Sequence, residues 1–383
     1  MYQLIVKNGT ILDPENHIFQ KADVAVVDGK VAGVGQYQDE PAIMVVDAAQ
    51  CLVTPGLIDH HAHLYPLANI GIPAEAVCFS SGVTTAVDAG STGCRTFREY
   101  LPFIDHSKLT IRAYLNVCST GLSSLPQKME EVSPESYDPH AIAELFAQYG
   151  SRLEGLKLRT SREIVGELGY QPLRETVNLA EHLGVPVMVH CTNPPGKMDE
   201  LLGYLRKGDV LTHMYMNKGD TILDQSGAVS QAAWKARERG VLFEAADARA
   251  HFSFAVSEPA IAQQFYPDFI ATDLTKYSMN LRPTAFSLSN QLAKYFMLGV
   301  PMEQLFAACT SEPARHMRLQ GKIGCLSPAS NGDIAVFQQI SGEVEFGDRP
   351  YSDPTCQLRK GTALFRPVLT VKNGEVVYRD ISF

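Results

Sequence analysis

Pro55-Gly56-Leu57-Ile58-Asp59-His60-His61-Ala62-His63 ends an apolar run with two histidines spaced i, i+2. Side chains on a strand alternate between faces, so His61 and His63 point the same way, and neutral imidazole is a good ligand for a borderline cation such as zinc. Alone the pair is weak, because two histidines two apart occur by chance and are more often surface decoration than a metal site. Its meaning depends on what the rest of the chain places beside it.

From Leu57 onward, apolar strand-like runs alternate with helical stretches, the pattern of βαβ units and a parallel sheet. Eight strands are expected, near Leu57 to His61, Thr84 to Asp88, Ile111 to Val117, Gly155 to Arg159, Val185 to His190, Val210 to His213, Val241 to Ala245 and Phe269 to Asp273. Amphipathic helices are clearest at Leu173 to Leu183, Ser230 to Arg239 and Phe286 to Leu298. Such repetition over about 250 residues predicts an α/β fold, a closed (β/α)8 TIM-like barrel with its site at the C-terminal strand ends. Both chain ends read differently, as short strands with turn signals at Asn8-Gly9, Asp28-Gly29 and Asn373-Gly374. They are expected to pair into one small β-sandwich domain, residues 1–54 with 320–383, leaving 55–319 as the barrel.

A chain of 383 residues, 45% apolar and 20% charged, can bury a large core. Its net charge of −9 and pI near 5.7 argue against nucleic acid or an anionic membrane as partner. The N-terminus turns polar at Asn8-Gly9 before a signal-peptide hydrophobic region develops, and no later apolar run reaches membrane-spanning length, so a cytoplasmic location is expected. The 8 cysteines contain no C-x-x-C pair, which predicts free thiols rather than a thiolate zinc site or a disulfide framework. Oligomeric state is left open, a homo-oligomer included.

Within the barrel frame, His61 and His63 end strand 1, Lys157 lies on strand 4, and His190, His213 and Asp273 end strands 5, 6 and 8. Each could do something duller, such as capping a strand or pairing at the surface, yet six metal-compatible residues at one barrel mouth are hard to place by accident. His60 alternates with its neighbours and is expected to face away.

The chain here resembles the metal-dependent amidohydrolase superfamily, whose proline-glycine-x-isoleucine-aspartate-x-histidine-x-histidine signature matches Pro55 to His63. The Gly82-Val83-Thr84-Thr85, Ser311-Glu312-Pro313-Ala314 and Gly332 to Phe337 segments look like that family too, so the likeness covers nearly the whole chain. The resemblance implies two divalent cations, expected to be zinc, bridged by Lys157 carboxylated with CO2. His61, His63 and Asp273 would hold one cation, and His190 and His213 the other. A water shared by cations roughly 3.5–4 Å apart ionises near neutral pH, which makes a metal-bridging hydroxide the implied nucleophile. Asp273 would also be catalytic, taking the proton of the attacking water and passing it to the leaving group.

Arg159 lies two residues after Lys157 and so shares its face; a guanidinium there is expected to recognise a substrate carboxylate, the alternative being a structural ion pair. Dihydroorotases usually place that arginine two residues beyond the second histidine of strand 1, where this chain has Tyr65. Lys157-Leu158-Arg159, Asn193-Pro194-Pro195 and Gly208 to His213 look like a dihydroorotase-like branch of deacetylases acting on α-acetylated carboxylates, including N-acetyl-D-amino acids. That branch usually carries Gly-His-Gly after strand 7, whereas this chain has Ala246-Asp247-Ala248. Tyr65, Asp247 and His251 are therefore expected, with Arg159, to contact the substrate.

The leading expectation is metal-dependent deacylation of an amide or ester on a small carboxylate. A cyclic-amide hydrolase or deaminase on the same ligands is the first alternative, and a non-catalytic scaffold the second. The scaffold is disfavoured because a structural zinc is normally closed by four protein ligands. No G-x-S-x-G elbow or G-x-x-x-x-G-K-[ST] loop offers another chemistry.

Overall fold

The computed structural model describes residues 1–37, 39–123, 125, 127 and 129–383. Eight parallel strands run in the order of the chain around one sheet: Leu57–Ala62, Val83–Gly93, Thr110–Asn116, Leu153–Arg159, Val187–His190, Val210–Thr212, Leu242–Ala246 and Phe269–Ala271. Their near-continuous burial matches strands covered on both faces, with helices outside. Three of those helices are Gln171–Leu183, Gln231–Glu238 and Leu288–Met297, within two residues of the expected spans. Among the described residues no helix is long and apolar enough to cross a membrane, and the cysteines are free thiols.

The last strand returns to the first, which makes the sheet a barrel. Asp273 N–H donates to His61 O at 2.7 Å, His63 N–H donates to Leu274 O at 3.0 Å, and the Thr272 hydroxyl donates to the buried Asp59 carboxylate at 2.6 Å. Closure and site are thus one construction, since the seam puts Asp273 beside both histidines of strand 1.

The two chain ends hydrogen-bond into one eight-stranded mixed sheet in which Ile334–Gly347 and Leu358–Lys372 form a long hairpin against Cys51–Pro55. This sheet docks near the starts of the barrel strands: Gly56 N–H donates to Asp333 O at 2.8 Å, and the buried Lys372 ammonium donates to Asp333 at 2.7 Å and Thr110 at 2.8 Å. Gly56 is needed in the entry step because a Cβ there would lie 2.2 Å from the Thr84 hydroxyl oxygen. The hairpin also reaches the catalytic end, where Arg349 donates to Ala250 O at 3.2 Å and Phe252 O at 3.0 Å, bracing the segment that carries His251.

Candidate active site

Five strands deliver one cluster. His63 Nε2 lies 3.1 Å and His61 Nε2 3.3 Å from Asp273 Oδ1, while Oδ2 lies 2.8 Å from His251 Nδ1 and 3.9 Å from His213 Nε2. His190 Nδ1 is 2.8 Å from His213 Nε2. Asp273 therefore stands between two donor groups, His61 with His63 and His213 with His251, each with its ligand atoms and those of Asp273 within 4.8 Å of one another. Lys157 and His190 line the same cavity as His61, His63 and Asp273.

The backbone is bent to make this possible. His213 (φ 63°) and Asp273 (φ 51°) both adopt the left-handed region, a cost on the order of 1 kcal/mol or more for each side chain, of the kind found at functional sites. His213 is locked by its Nδ1 hydrogen bond to Ala246 O at 2.6 Å, which turns Nε2 toward the cluster. On strand 2, Gly90 lets Lys157 pass, because a Cβ there would sit 2.6 Å from the lysine Cβ.

Burial controls the charges. It pushes the His190 and His213 imidazoles well below their usual value, with neighbouring cationic groups adding to the effect, so both are neutral and able to ligate. Burial opposes ionisation of Asp273 too, yet His61, His251 and His63 hold its carboxyl well below the carboxylate range. Lys157 is buried, its ammonium nitrogen has no hydrogen-bond partner among the described residues, and burial pushes it down to about 8. An orphaned, easily neutralised amine among imidazoles and a carboxylate fits a carboxylated bridging lysine and a pair of divalent cations, the oxygen and nitrogen donor set that zinc accepts.

Glu244 completes the centre and was not singled out from the sequence. Its Oε1 lies 2.7 Å from His61 Nδ1 and its Oε2 2.7 Å from His60 Nδ1, with all three side chains buried. A signal existed: Glu244 interrupts the apolar run Val241 to Ala246, and a strand buried on both faces tolerates an acid only if it is paired. His60 faces away from the cluster as expected, packed on Phe269 at 4.3 Å and on Tyr114 at 5.7 Å between ring centroids. Beyond it the Tyr114 hydroxyl lies 3.5 Å from His60 Nε2 and 2.8 Å from His316 Nε2, so a polar thread crosses a barrel core that is ordinarily apolar.

The cavity over the cluster has a volume of about 280 Å³. Ile70, Leu122, Leu125 and Met129 form an apolar wall, and Arg159, Arg249 and Tyr277 also line it. Arg159 makes the ion pair that was its structural alternative, to the buried Glu130 at 2.9 Å, while still facing the cavity. One guanidinium nitrogen is taken by that bond, and among the described residues the rest of the fork is left for a ligand. Glu130 and Arg249 carried no sequence signal, since both lie on irregular segments.

Two expected substrate contacts are placed elsewhere. Tyr65 is buried on Tyr100, its hydroxyl donates to Glu99 at 3.1 Å, and it is not among the residues lining the cavity. Asp247 is buried against Lys294 and accepts from the Tyr295 hydroxyl at 2.9 Å, also outside that lining. Its charge is consumed by a buried lysine, which corrects the expectation that it faces the substrate. His251 lines the cavity as well as contacting Asp273, so it is close enough to serve either a ligand or a cation.

Residues 52–377 match the model of the amidohydrolase family. A deacetylase from Agrobacterium fabrum is 32% identical over 355 residues, covering 91% of this chain and 85% of its own length. A deacetylase from Enterococcus faecalis is 25% identical, covering 98% and 99%. A solved structure described as a dihydroorotase superposes with a TM-score of 0.88 at 29% identity, covering 98% of this chain and 99% of that one. The chain belongs to the amidohydrolase family and is a metal-dependent hydrolase built as a (β/α)8 barrel.

Proposed function

We propose that this hydrolase deacylates a small N-acyl or O-acyl α-carboxylate, cleaving an amide or ester bond at the cluster around Asp273. The observation that carries the reading is Arg159, a guanidinium in the same small cavity as the ligand cluster, oriented by Glu130 with donors to spare. The deacetylase names of the relatives from Agrobacterium fabrum and Enterococcus faecalis support it.

Held by His61, His63, Lys157, His190, His213 and Asp273, two divalent cations, zinc by donor type, would supply an activated water and polarise the scissile carbonyl. The chain's own residues do the rest. Arg159 anchors the carboxylate, which fixes the acyl carbon over the cluster. Ile70, Leu122, Leu125 and Met129 exclude water from that side. Asp273, ionised and hydrogen-bonded to His251, accepts the proton of the attacking water and returns it to the leaving amine or alkoxide.

The likeness to a structure described as a dihydroorotase favours a second reading, hydrolysis of a cyclic amide on the same ligands. Acetate release from N-acetyl amino acids, set against ring opening of dihydroorotate and hydantoins and deamination of adenine, separates the two. Turnover of ring substrates alone would overturn the deacylase reading. As further parts of this reading, the partner is a small carboxylate rather than nucleic acid or a membrane, and the enzyme works in the cytoplasm.

A further inference from the structure

A second, roomy concave feature lies at the other end of the barrel. A cavity of about 990 Å³ opens at the strand starts, and its lining includes Arg112, Arg206, Lys207, Arg315 and Arg318 against one carboxylate, Glu154. The whole chain carries a net charge of −9, so this concentration of cations is local.

Helix ends explain part of it. Helices finishing at Tyr149, Leu183 and His316 point their C-termini this way, and basic residues complement such ends. Several of the cations are also internally committed: Arg206 to Asp209 at 2.9 Å and Val185 O at 3.1 Å, Arg315 to Glu312 at 2.6 Å and Glu15 at 3.0 Å. Lys207 and Arg318 have no side-chain hydrogen bond or ion pair among the described residues. Arg112 pairs with Glu154 at 2.7 Å, but burial pushes Glu154 up to about 7 against the pull of Arg112 and Arg318, so near neutrality the acid only partly cancels them. Dipole compensation accounts for a positive bias; it does not account for a cavity of about 990 Å³ whose lining includes Lys207 and Arg318, neither with a side-chain hydrogen bond or ion pair among the described residues.

We propose that this basic cavity is a second binding site, for a small phosphate-bearing anion held by Arg318, Lys207 and Arg112. Guanidinium forks and an ammonium suit phosphate oxygens, and the negative helix ends require that side chains supply the contacts. His316 at the cavity wall is the outer end of the polar thread through Tyr114, His60 and Glu244, so an occupant would touch the same thread that orients His61.

Calorimetric titration of inorganic phosphate into the metal-loaded enzyme, at constant ionic strength, tests this with the wild type and the double variant Lys207→Gln, Arg318→Gln. Both positions are exposed, so the variant should fold and keep its metal content and basal activity. The expected result is saturable binding to the wild type that weakens on the order of tenfold or more in the variant, since each lost charge-assisted contact is worth about 1.5 kcal/mol or more. Absence of saturable binding to the wild type overturns the proposal. Equal binding by both proteins does so too, because it would place the phosphate at the catalytic end.

Discussion

Glu244 holds His61 by a 2.7 Å hydrogen bond to Nδ1 and uses its other oxygen on His60, the preceding residue. Two consecutive histidines on one strand reach the same carboxylate because the strand departs from regular register between Asp59 and Ala62. The consequence for His61 is a fixed ring with Nε2 turned toward Asp273.

Replacing Glu244 by Gln keeps the shape and removes one acceptor, so His61 or His60 loses its partner. Metal affinity should fall by about 10–100-fold, as outer partners of metal ligands typically cost. Chelator competition followed by elemental analysis measures it, and activity should return when excess zinc is supplied. Unchanged affinity would reduce Glu244 to a packing residue.

Lys157 gives a pH dependence with a definite sign. Only the neutral amine attacks CO2, and burial holds this amine down to about 8. At fixed dissolved CO2, protein stripped of metal should regain activity faster as pH rises toward about 8 and level off above it. An ordinary lysine would keep accelerating toward ~10.4. Reactivation rate against pH makes the distinction.

Arg159→Met should lower kcat/KM for carboxylate substrates about tenfold or more and leave their carboxamide analogues unaffected, with metal content intact. Glu130→Gln, which frees the guanidinium to swing, should act in the same direction more weakly. Equal losses on both substrate types would make the pair structural.

Asp247 should matter for stability and not for substrate choice. Asp247→Asn strands the buried Lys294, at a cost of about 3–5 kcal/mol by urea denaturation, and adding Lys294→Met should recover much of it. A changed substrate preference in the single variant, with stability unaltered, would restore Asp247 to the site.

The barrel was legible because its signal is repeated: each strand is an apolar run of the right length, and the observed strands differ from the expected ones mainly at their ends, as at Val83–Gly93. The six candidate ligands were legible for the same reason, since a residue at a strand's C-terminal end is carried to the mouth by topology alone. Tyr65 and Asp247 misled because position along the chain does not say which way a side chain turns after the strand stops. Tyr65 turns outward to Glu99, and Asp247 turns into a lysine nearly fifty residues away. Glu130 and Arg249 lie on irregular segments with no period to read, while Glu244 could have been found by asking what a buried acid pairs with.

The most direct measurement is acetate release by zinc-reconstituted enzyme from a panel of N-acetyl amino acids and O-acetyl hydroxy acids, run beside dihydroorotate and hydantoins and beside the Lys157→Ala variant. The account predicts metal-dependent acetate release from at least one carboxylate substrate, lost in the variant together with bound metal. Ring opening without acetate release, or full activity in the metal-depleted variant, would contradict it.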